Sequence, residues 1–279
     1  MTILVVGALH LDVVVRAAHI PALDETLAGS GVDYVFGGKG GNQALAAARL
    51  GGTVHFAGRA GSDAFGDVLR ARLAASPLDI SQLQRDPGPS GMSSAIVNDA
   101  GEYGAVIVSA ANLAIDADQI EIPPDTSLVL LQNEIPHEVN LAIAQRAQAA
   151  GATVWLNAAP ARALSDDMLA CVDLLIVNRV EAAFYADLTQ KADVLTTLGG
   201  EGVTYDGSTY PAWDVAVAST HGAGDMFVGA LAAFVSQGAS MNEALPRAQA
   251  AAAWLVATPV AKRDDDHALH AFLDAQLNR

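Results

Sequence analysis

The sequence contains little cysteine, few aromatic side chains and few positive charges. One cysteine in 279 residues, Cys171, argues against a disulfide framework and against a cysteine-based metal cluster. Aromatic residues make up only 5% of the chain and hydrophobic residues 52%, so the core must consist mainly of Ala, Val, Leu and Ile. With 15 Lys and Arg against 31 Asp and Glu, the net charge of −16 argues against nucleic acid and anionic membrane surfaces as partners.

Long apolar runs are absent as well. No stretch reaches the length of a membrane span. The apolar segment 1–9 has no basic residues and continues directly into His10-Leu11-Asp12, which is typical of a first β-strand rather than of a signal peptide. A cytoplasmic protein with no membrane partner is therefore expected, and its length suits one α/β domain over residues 1–279.

From residue 127 onward, strand and helix signals alternate. Pro136 begins a helix that Gly151 ends, the order that helix termini prefer. This alternation predicts a mainly parallel sheet with helices on its faces, and the ligands of such sheets bind at the carboxyl ends of the strands. The predicted strands are 127–132, 153–157, 174–178 and 194–198.

Two pairs of short β-type runs break this alternation. Runs 12–16 and 32–36 flank an irregular stretch, while 93–98 and 103–108 are joined by Asp99-Ala100-Gly101-Glu102, a hairpin signal. Neither pair is followed by a crossover helix. We expect a small separate sheet, inserted as about 12–36 and 91–108, that acts as a lid. The alternative is that these runs extend the main sheet.

The motif Gly222-Ala223-Gly224-Asp225 stands immediately before an apolar helix, 226–235. Free N–H groups at a helix N-terminus, together with the helix dipole, form a site for a phosphate group. A carboxylate at the same place repels an anion, but it is explained if Asp225 accepts the proton of a hydroxyl that attacks that phosphate. The alternative is that Asp225 only caps the helix.

A second glycine-rich turn, 37–44 (GGKGGNQA), leads into an Ala-rich helix that stops at Gly51. It is not a Walker A loop, because the spacing differs and no Ser or Thr follows Lys39. Asn42 can offer a donor and an acceptor to a polyol, and Lys39 can reach an incoming phosphate. The alternative is a tight turn with a capping Asn.

These two motifs, in this order, resemble the two signatures of the ribokinase (PfkB) superfamily of carbohydrate and nucleoside kinases. Further segments resemble the family in the expected order: 58–66 (GRAGSDAFG), 130–136 (LLQNEIP), 157–160 (NAAP), 178–181 (NRVE) and 197–202 (TLGGEG). The resemblance implies a ribokinase-like three-layer α/β/α fold with a small β-sheet lid. It also implies a kinase that uses ATP and Mg²⁺ to phosphorylate a hydroxyl of a small sugar, a pentose or a ketohexose.

The resemblance also implies roles for individual residues. Asp225 matches the general base, and the amides of Gly222, Ala223 and Gly224 match the anion hole. Glu181 matches a residue that organises Mg²⁺ through water. The positions implied for the sugar are His10, Asp12, Gly38, Lys39, Asn42, Glu134 and Asp225. Those implied for the nucleotide are Asn178, Thr197, Gly199, Gly202 and Gly224.

The sequence departs from the family at three places. His10 replaces the usual asparagine, so a hydroxyl pattern other than that of ribose is expected. Ser219 and His221 replace Asp and Thr, which the family associates with a monovalent cation, and 256–262 is also unlike the family, so potassium activation is expected to be weak or absent. Residues 182–196 are too few for the two helices usual there, which predicts a trimmed nucleotide flank.

Other functions stay open at this point. A nucleoside kinase of the same superfamily would bring aromatic rings against the base, and only Phe36 and Tyr103 are obvious candidates. A degenerate sugar-binding or regulatory protein is disfavoured by the intact motifs and favoured by the short segment after Glu181. A kinase of sugar phosphates needs a second anion site, for which only Lys39 and Arg16 are available. A homodimer through the lid is expected, with an apolar face formed by Val13, Val15, Val35, Ala95 and Val97.

Overall fold

The computed structural model describes residues 1–187 and 193–277. Its largest element is a nine-stranded sheet. The strands of this main sheet are β1 (Thr2–Val6), β4 (Thr53–Gly61), β5 (Asp79–Asp86), β8 (Thr126–Gln132), β9 (Thr153–Asn157), β10 (Leu174–Asn178), β11 (Asp193–Thr197), β12 (Val203–Tyr205) and β13 (Ser208–Tyr210).

The main sheet has the order β13-β12-β11-β10-β9-β8-β1-β4-β5. All neighbours from β11 to β5 are parallel, and only β12 and β13 pair antiparallel at one edge. The prediction of a mainly parallel sheet is confirmed. From β1 the chain builds towards β4 and β5 on one side and, after β8, towards β11 on the other. The boundary between β1 and β8 is therefore a topological switch point.

Helices cover both faces of the main sheet. The helices are α1 (Lys39–Arg49), α2 (Ala64–Ala74), α3 (His137–Ala149), α4 (Asp166–Cys171), α5 (Arg179–Phe184), α6 (Ala223–Ser236), α7 (Met241–Ala257) and α8 (Asp266–Leu277). Ile3 and Val5 of β1 pack with α1, α2, α6, α7 and α8, while Leu4 and Val6 pack with α3, α4 and Tyr185 behind α5. Strands buried on both faces read as continuous apolar runs, which is why they were recognisable.

A close contact between α1 and α6 depends on Gly229. A Cβ added at Gly229 would lie 2.4 Å from the carbonyl oxygen of Gln43 and 2.6 Å from Cβ of Ala46. Only a hydrogen side chain fits there, so the backbones of the two helices approach each other directly. This contact brings the first turns of α1 and α6, which carry the two glycine-rich motifs, to the same edge of the sheet.

A separate four-stranded sheet has the order β3-β2-β6-β7. Its strands are β2 (His10–Arg16), β3 (Gly31–Gly37), β6 (Met92–Val97) and β7 (Tyr103–Val108). β2 pairs parallel with β6, and the other two pairs are antiparallel. The prediction of a small separate sheet is confirmed, and the alternative of added strands on the main sheet is wrong. We call it the small sheet.

The prediction that five apolar residues form one face of the small sheet is wrong, because they lie on both faces. Residues directly opposite each other share a face, and successive residues alternate. Val35 and Ala95 lie opposite Asp12 and Val14, so they and Val97 occupy the other face from Val13 and Val15. Both faces are partly apolar. On the face of Val13 and Val15, exposed apolar side chains include Val32, Tyr34 and Val106. On the face of Val35 and Val97, they include Tyr103 and Ile107.

No helix in residues 1–187 and 193–277 combines the length and the apolar character needed to cross a bilayer.

Candidate active site

Polar residues gather at the carboxyl edge of the main sheet, and Asn178 and Thr197 of the predicted site are among them. Gln132, Asn157, Asn178 and Thr197 are the last residues of β8, β9, β10 and β11. Helices α1 and α6 begin at the same edge, next to the switch point between β1 and β8. The carboxyl ends of parallel strands lie along one crevice, which explains how residues distant in sequence come together.

The first turn of α6 presents free amides. Gly222 is the N-cap residue, with φ of 79° in the left-handed region that favours glycine. No side chain of the described residues caps the helix. The amide of Ala223 donates to the carbonyl oxygen of Thr220 over 3.2 Å. Within the described residues, the amides of Gly222 and Gly224 have no protein acceptor. A Cβ at either glycine would meet no atom within 4 Å, so open space lies beside them.

The carboxylate of Asp225 is held by α1. Asn42 Nδ2 donates to its Oδ2 over 3.1 Å, and Gln43 Nε2 donates to its Oδ1 over 2.9 Å. These bonds lead across to the neighbouring helix, so Asp225 does not act as the cap of α6, and the capping interpretation is wrong. Two neutral donors, one to each carboxylate oxygen, fix the direction of the carboxylate.

Gln43 was not singled out by the sequence analysis, although it lies within the motif 37–44. Its Nε2 also donates to Asn157 Oδ1 over 3.0 Å, and its Oε1 accepts from Gln132 Nε2 over 2.9 Å. Both glutamines are fully buried. Because every polar atom of the Gln43 amide has a partner, its orientation towards Asp225 is fixed. A polar side chain between Asn42 and the Ala-rich run 44–48 was the signal available in the sequence.

Glu134 joins β8 to the start of α1. Its Oε2 accepts from the backbone amide of Lys39 over 2.7 Å. Burial raises the pKa of Glu134 above its ordinary value, and the charges of Asp225 and Asp12 act in the same direction, while Lys39 opposes them. The three carboxylates are therefore close enough to influence each other, at the place where the small sheet meets the main sheet.

The residues of β2 that the sequence predicts for the sugar, His10 and Asp12, lie in the small sheet. Asp12 Oδ1 accepts from Ser93 Oγ over 2.5 Å. His10 is buried, and its Nε2 has no partner in the part of the chain that the structure describes. Burial lowers its pKa from the ordinary 6.5, so the imidazole is neutral near pH 7. Gly38 has φ of 90°, and a Cβ there would lie 2.5 Å from the carbonyl oxygen of Ala8. The approach of α1 to the end of β1 thus requires a glycine at 38.

On the opposite side, Asn178 and Glu181 form a capping box at α5. Asn178 Oδ1 accepts from the amides of Val180 and Glu181, both over 2.9 Å, and Glu181 Oε2 accepts from the amide of Asn178 over 2.8 Å. This structural role fixes both side chains at the crevice. Within the described residues, no group of three His, Cys, Asp or Glu side chains could hold a metal ion directly.

One cavity unites most of the nucleotide-side residues. It is lined by Lys39, Asn157, Asn178, Glu181, Thr197 and the turn Gly222–Asp225, among others. Gly199 and Gly202 do not line it: they lie in the turn between β11 and β12, where a Cβ at Gly202 would come within 2.0 Å of the carbonyl oxygen of Tyr210. The predicted trimming of 182–196 falls partly on residues 188–192, which lie outside the described residues.

Residues 2–266 match the sequence profile of the pfkB family carbohydrate kinases. The chain belongs to the pfkB family. The resemblance inferred from the glycine motifs is thereby confirmed, and this pfkB protein is a carbohydrate kinase, a phosphotransferase with an alcohol group as acceptor.

This pfkB kinase is similar to proteins named ribokinase. The ribokinase of Lactococcus lactis subsp. lactis is 34% identical over 257 residues, which cover 86% of each chain. The solved ribokinase of Thermotoga maritima has a TM-score of 0.87 at 27% identity, with 98% of this chain and 99% of that one covered. The ribokinase of Arabidopsis thaliana, solved in complex with ribose and ATP, has a TM-score of 0.87 at 26% identity, with 97% and 98% covered.

Proposed function

We propose that this pfkB kinase transfers the terminal phosphoryl group of ATP to a hydroxyl of a small sugar, with Asp225 as the general base. The observation that carries the proposal is the position of Asp225. Its carboxylate is fixed by hydrogen bonds from Asn42 and Gln43 of α1. Asp225 itself lies in the first turn of α6, where the amides of Gly222 and Gly224 have no acceptor in the described residues. The similar Arabidopsis ribokinase, complexed with ribose and ATP, supports this pair of substrates.

In the proposed reaction, Asp225 takes the proton of the sugar hydroxyl as the oxygen attacks the terminal phosphorus of ATP. The bond from that phosphorus to the bridging oxygen breaks, and ADP leaves with the electron pair. Little covalent chemistry is required of the protein, so positioning and charge stabilisation dominate. The amides of Gly222 and Gly224, at the positive end of the α6 dipole, would bind the transferring group. Lys39, on the cavity wall, adds positive charge.

Magnesium fits this site through water. Glu181 is the carboxylate of the cavity on the nucleotide side, and one of its oxygens already accepts from the amide of Asn178. Mg²⁺ keeps several waters and is commonly held by few carboxylates plus the nucleotide phosphates. When bound, it would neutralise charge on the phosphates. Asn178 and Thr197 would contact the nucleotide from the same wall, with Gly199 and Gly202 shaping the turn beyond it.

The sugar would lie between the small sheet and α1, in contact with Asp12, Asn42 and Glu134 beside Gly38. The neutral ring of His10 offers one donor and one acceptor, so a pentose or ketohexose other than ribose is compatible. The nucleoside alternative loses support, because Phe36 packs on the hydrophobic core beside Gly41 and Tyr103 is exposed.

The small sheet would act as the lid of a single kinase domain spanning 1–279. Asp12 belongs both to this sheet and to the sugar side, so closing the sheet over the sugar would exclude water that could otherwise accept the phosphoryl group. The partly apolar faces of the small sheet support a homodimer through the lid.

An ADP-release assay with Mg·ATP and a panel of pentoses, hexoses, sugar phosphates and nucleosides tests the proposal. Turnover on one sugar is expected, and D225N should lower kcat by about 10²-fold or more, as loss of a general base does. D67N, which changes an exposed aspartate of α2, is the matched control. If D225N keeps the wild-type kcat, the assignment of the base is wrong. If only nucleosides are phosphorylated, the sugar assignment is wrong.

A further inference from the structure

Arg263 lies beside the turn that leads into α6, outside the residues predicted for the site. It follows the short 3₁₀ turn Val260–Lys262, after the end of α7. Its guanidinium donates to three backbone carbonyl oxygens: that of Thr258 from Nε over 3.0 Å, that of His221 from Nη1 over 3.0 Å, and that of Ser219 from Nη2 over 2.9 Å. One planar group therefore joins two separate segments.

The bond to His221 acts directly on the proposed anion hole. The carbonyl of His221 and the amide of Gly222 belong to one peptide unit, and this peptide is trans. In a trans peptide the C=O and the N–H point in opposite directions. Holding the carbonyl towards Arg263 therefore fixes the direction of the Gly222 N–H on the other side. A cationic donor on the carbonyl also polarises the N–H and makes it a stronger donor.

Arg263 keeps an uncompensated charge at this place. In residues 1–187 and 193–277, no carboxylate lies within ion-pair distance of its guanidinium. The adjacent acidic residues are engaged elsewhere, because Asp264 pairs with Arg72 and Asp265 accepts from the amide of Ala268. Burial lowers the pKa of Arg263, but a guanidinium stays protonated at any physiological pH.

Carbonyl oxygens converging from different segments are the ligand type that proteins use for a desolvated monovalent cation. Here those oxygens are taken by a side chain. We infer that Arg263 is a fixed cation that positions the Gly222 amide for phosphoryl transfer and replaces a bound monovalent cation. The inference rests on the proposed kinase function. Arg263 is a positioning residue, since it acts through the turn 219–222. It also gives a physical cause for the weak or absent potassium activation that Ser219 and His221 lead us to expect.

Kinetics in potassium and in tetramethylammonium buffers test the inference with wild type, R263A, R263K and R72A. R72A is the matched control, because Arg72 ties the neighbouring Asp264 to α2 without touching the turn. The wild-type kcat should be the same, within twofold, in both buffers. R263A should lose about 10-fold or more in kcat with little change in the sugar KM, as expected when one anion-hole donor is misoriented. Millimolar guanidinium should restore part of this loss, R263K should be intermediate, and R72A should match wild type.

Several results would overturn the inference. One is potassium activation of the wild type by severalfold, which needs no variant at all. Another is a kcat for R263A within twofold of wild type. A third is a loss in R263A that neither guanidinium nor R263K recovers, since that pattern indicates a structural role only.

Hydrogen–deuterium exchange of a peptide covering 219–226 gives a readout without substrate. Exchange should be faster in R263A than in wild type and unchanged in R72A. If the wild type shows no turnover with any sugar, the proposed function fails on that evidence alone. Exchange then still decides whether Arg263 holds the turn, and identical exchange in R263A and wild type shows that it does not.

Discussion

Gln43 donates a side-chain hydrogen bond to Asp225 over 2.9 Å, from a position 182 residues earlier in the chain. The amide of Gln43 thus fixes the direction of the proposed base. Q43E would remove this donor and place a second carboxylate beside Asp225. Repulsion between the two carboxylates would turn Asp225 away from the sugar hydroxyl, so kcat near pH 7 should fall by about 10-fold, as one lost charge-assisted hydrogen bond implies.

The control for Q43E is Q148E, which introduces the same charge at an exposed glutamine of α3. Its kcat should match that of wild type. If Q43E keeps the wild-type kcat, Gln43 does not hold Asp225 in position. Thermal unfolding of both variants separates this effect from loss of the fold.

We expect the buried charge of Glu134 to lower the free energy of unfolding and to increase the affinity for the sugar. Burial raises its folded-state pKa above the ordinary 4.5. The folded protein therefore binds this proton more tightly than the unfolded chain, so stability falls as pH rises from about 4.5 through the folded pKa, and the full penalty is present above it. E134Q removes the penalty and keeps an acceptor for the Lys39 amide. Its free energy of unfolding should exceed that of wild type at pH 7, and the difference should shrink towards pH 4.

The sugar KM of E134Q should rise by about 10-fold or more, because a hydrogen bond to a charged group contributes roughly 1.5–3 kcal/mol. Urea unfolding at several pH values, together with steady-state kinetics, measures both effects. A variant that is less stable than wild type at pH 7 would show that the buried charge of Glu134 is compensated by its neighbours. An unchanged KM would remove Glu134 from the sugar site.

Gly222 and Gly224 should respond differently to alanine. G222A forces a side chain into the left-handed region, which costs about 1–2 kcal/mol of stability, and also disturbs the peptide held by Arg263. G224A has helical geometry and should be about 0.5–1 kcal/mol more stable than wild type. Its methyl group would enter the open space beside the amide, so kcat should fall nonetheless. Denaturant unfolding and kinetics test this, and a G224A variant with wild-type kcat would show that no phosphoryl group passes there.

The small sheet should carry the homodimer contact. Val106 and Ile107 are exposed on opposite faces of β7, at 67% and 63%. V106E or I107E should convert a dimer into a monomer in light scattering, and the variant that does so identifies the face used. L113E, at a comparably exposed leucine outside this sheet, is the control. A wild-type protein that is monomeric at micromolar concentration contradicts the dimer.

The sequence predicted the central parallel strands β1, β8, β9 and β10 well because they are buried on both faces. It did not predict β4, whose apolar run is interrupted by His55 and Arg59, or β5, whose polar residues suit a partly exposed edge. The three-residue strands β12 and β13 were not predicted either. The faces of the small sheet were assigned wrongly, because alternation within one strand does not give the register between strands.

In the candidate site, motif glycines and carboxylates could be anticipated from their local pattern. The network of Gln132, Gln43 and Asn157 could not, since it joins three separate elements through contacts that only the fold creates. The same holds for Arg263, since two of its three acceptors, the carbonyl oxygens of His221 and Ser219, lie 42 and 44 residues earlier in the chain. Long-range partners of this kind leave no periodic trace in the chain.

Gly229 lies one helical turn after Asp225, at the point where α6 touches α1. The distance between the Asp225 carboxylate and the side-chain amides of Asn42 and Gln43 is therefore set by the packing of α6 on α1 in the core, and not by the shape of the pocket. A laboratory selection for altered substrate preference would be expected to recover substitutions along this helix contact, far from any ligand. For this kinase, the positions chosen for randomisation should include buried residues of the contact between α1 and α6 as well as residues that line the pocket.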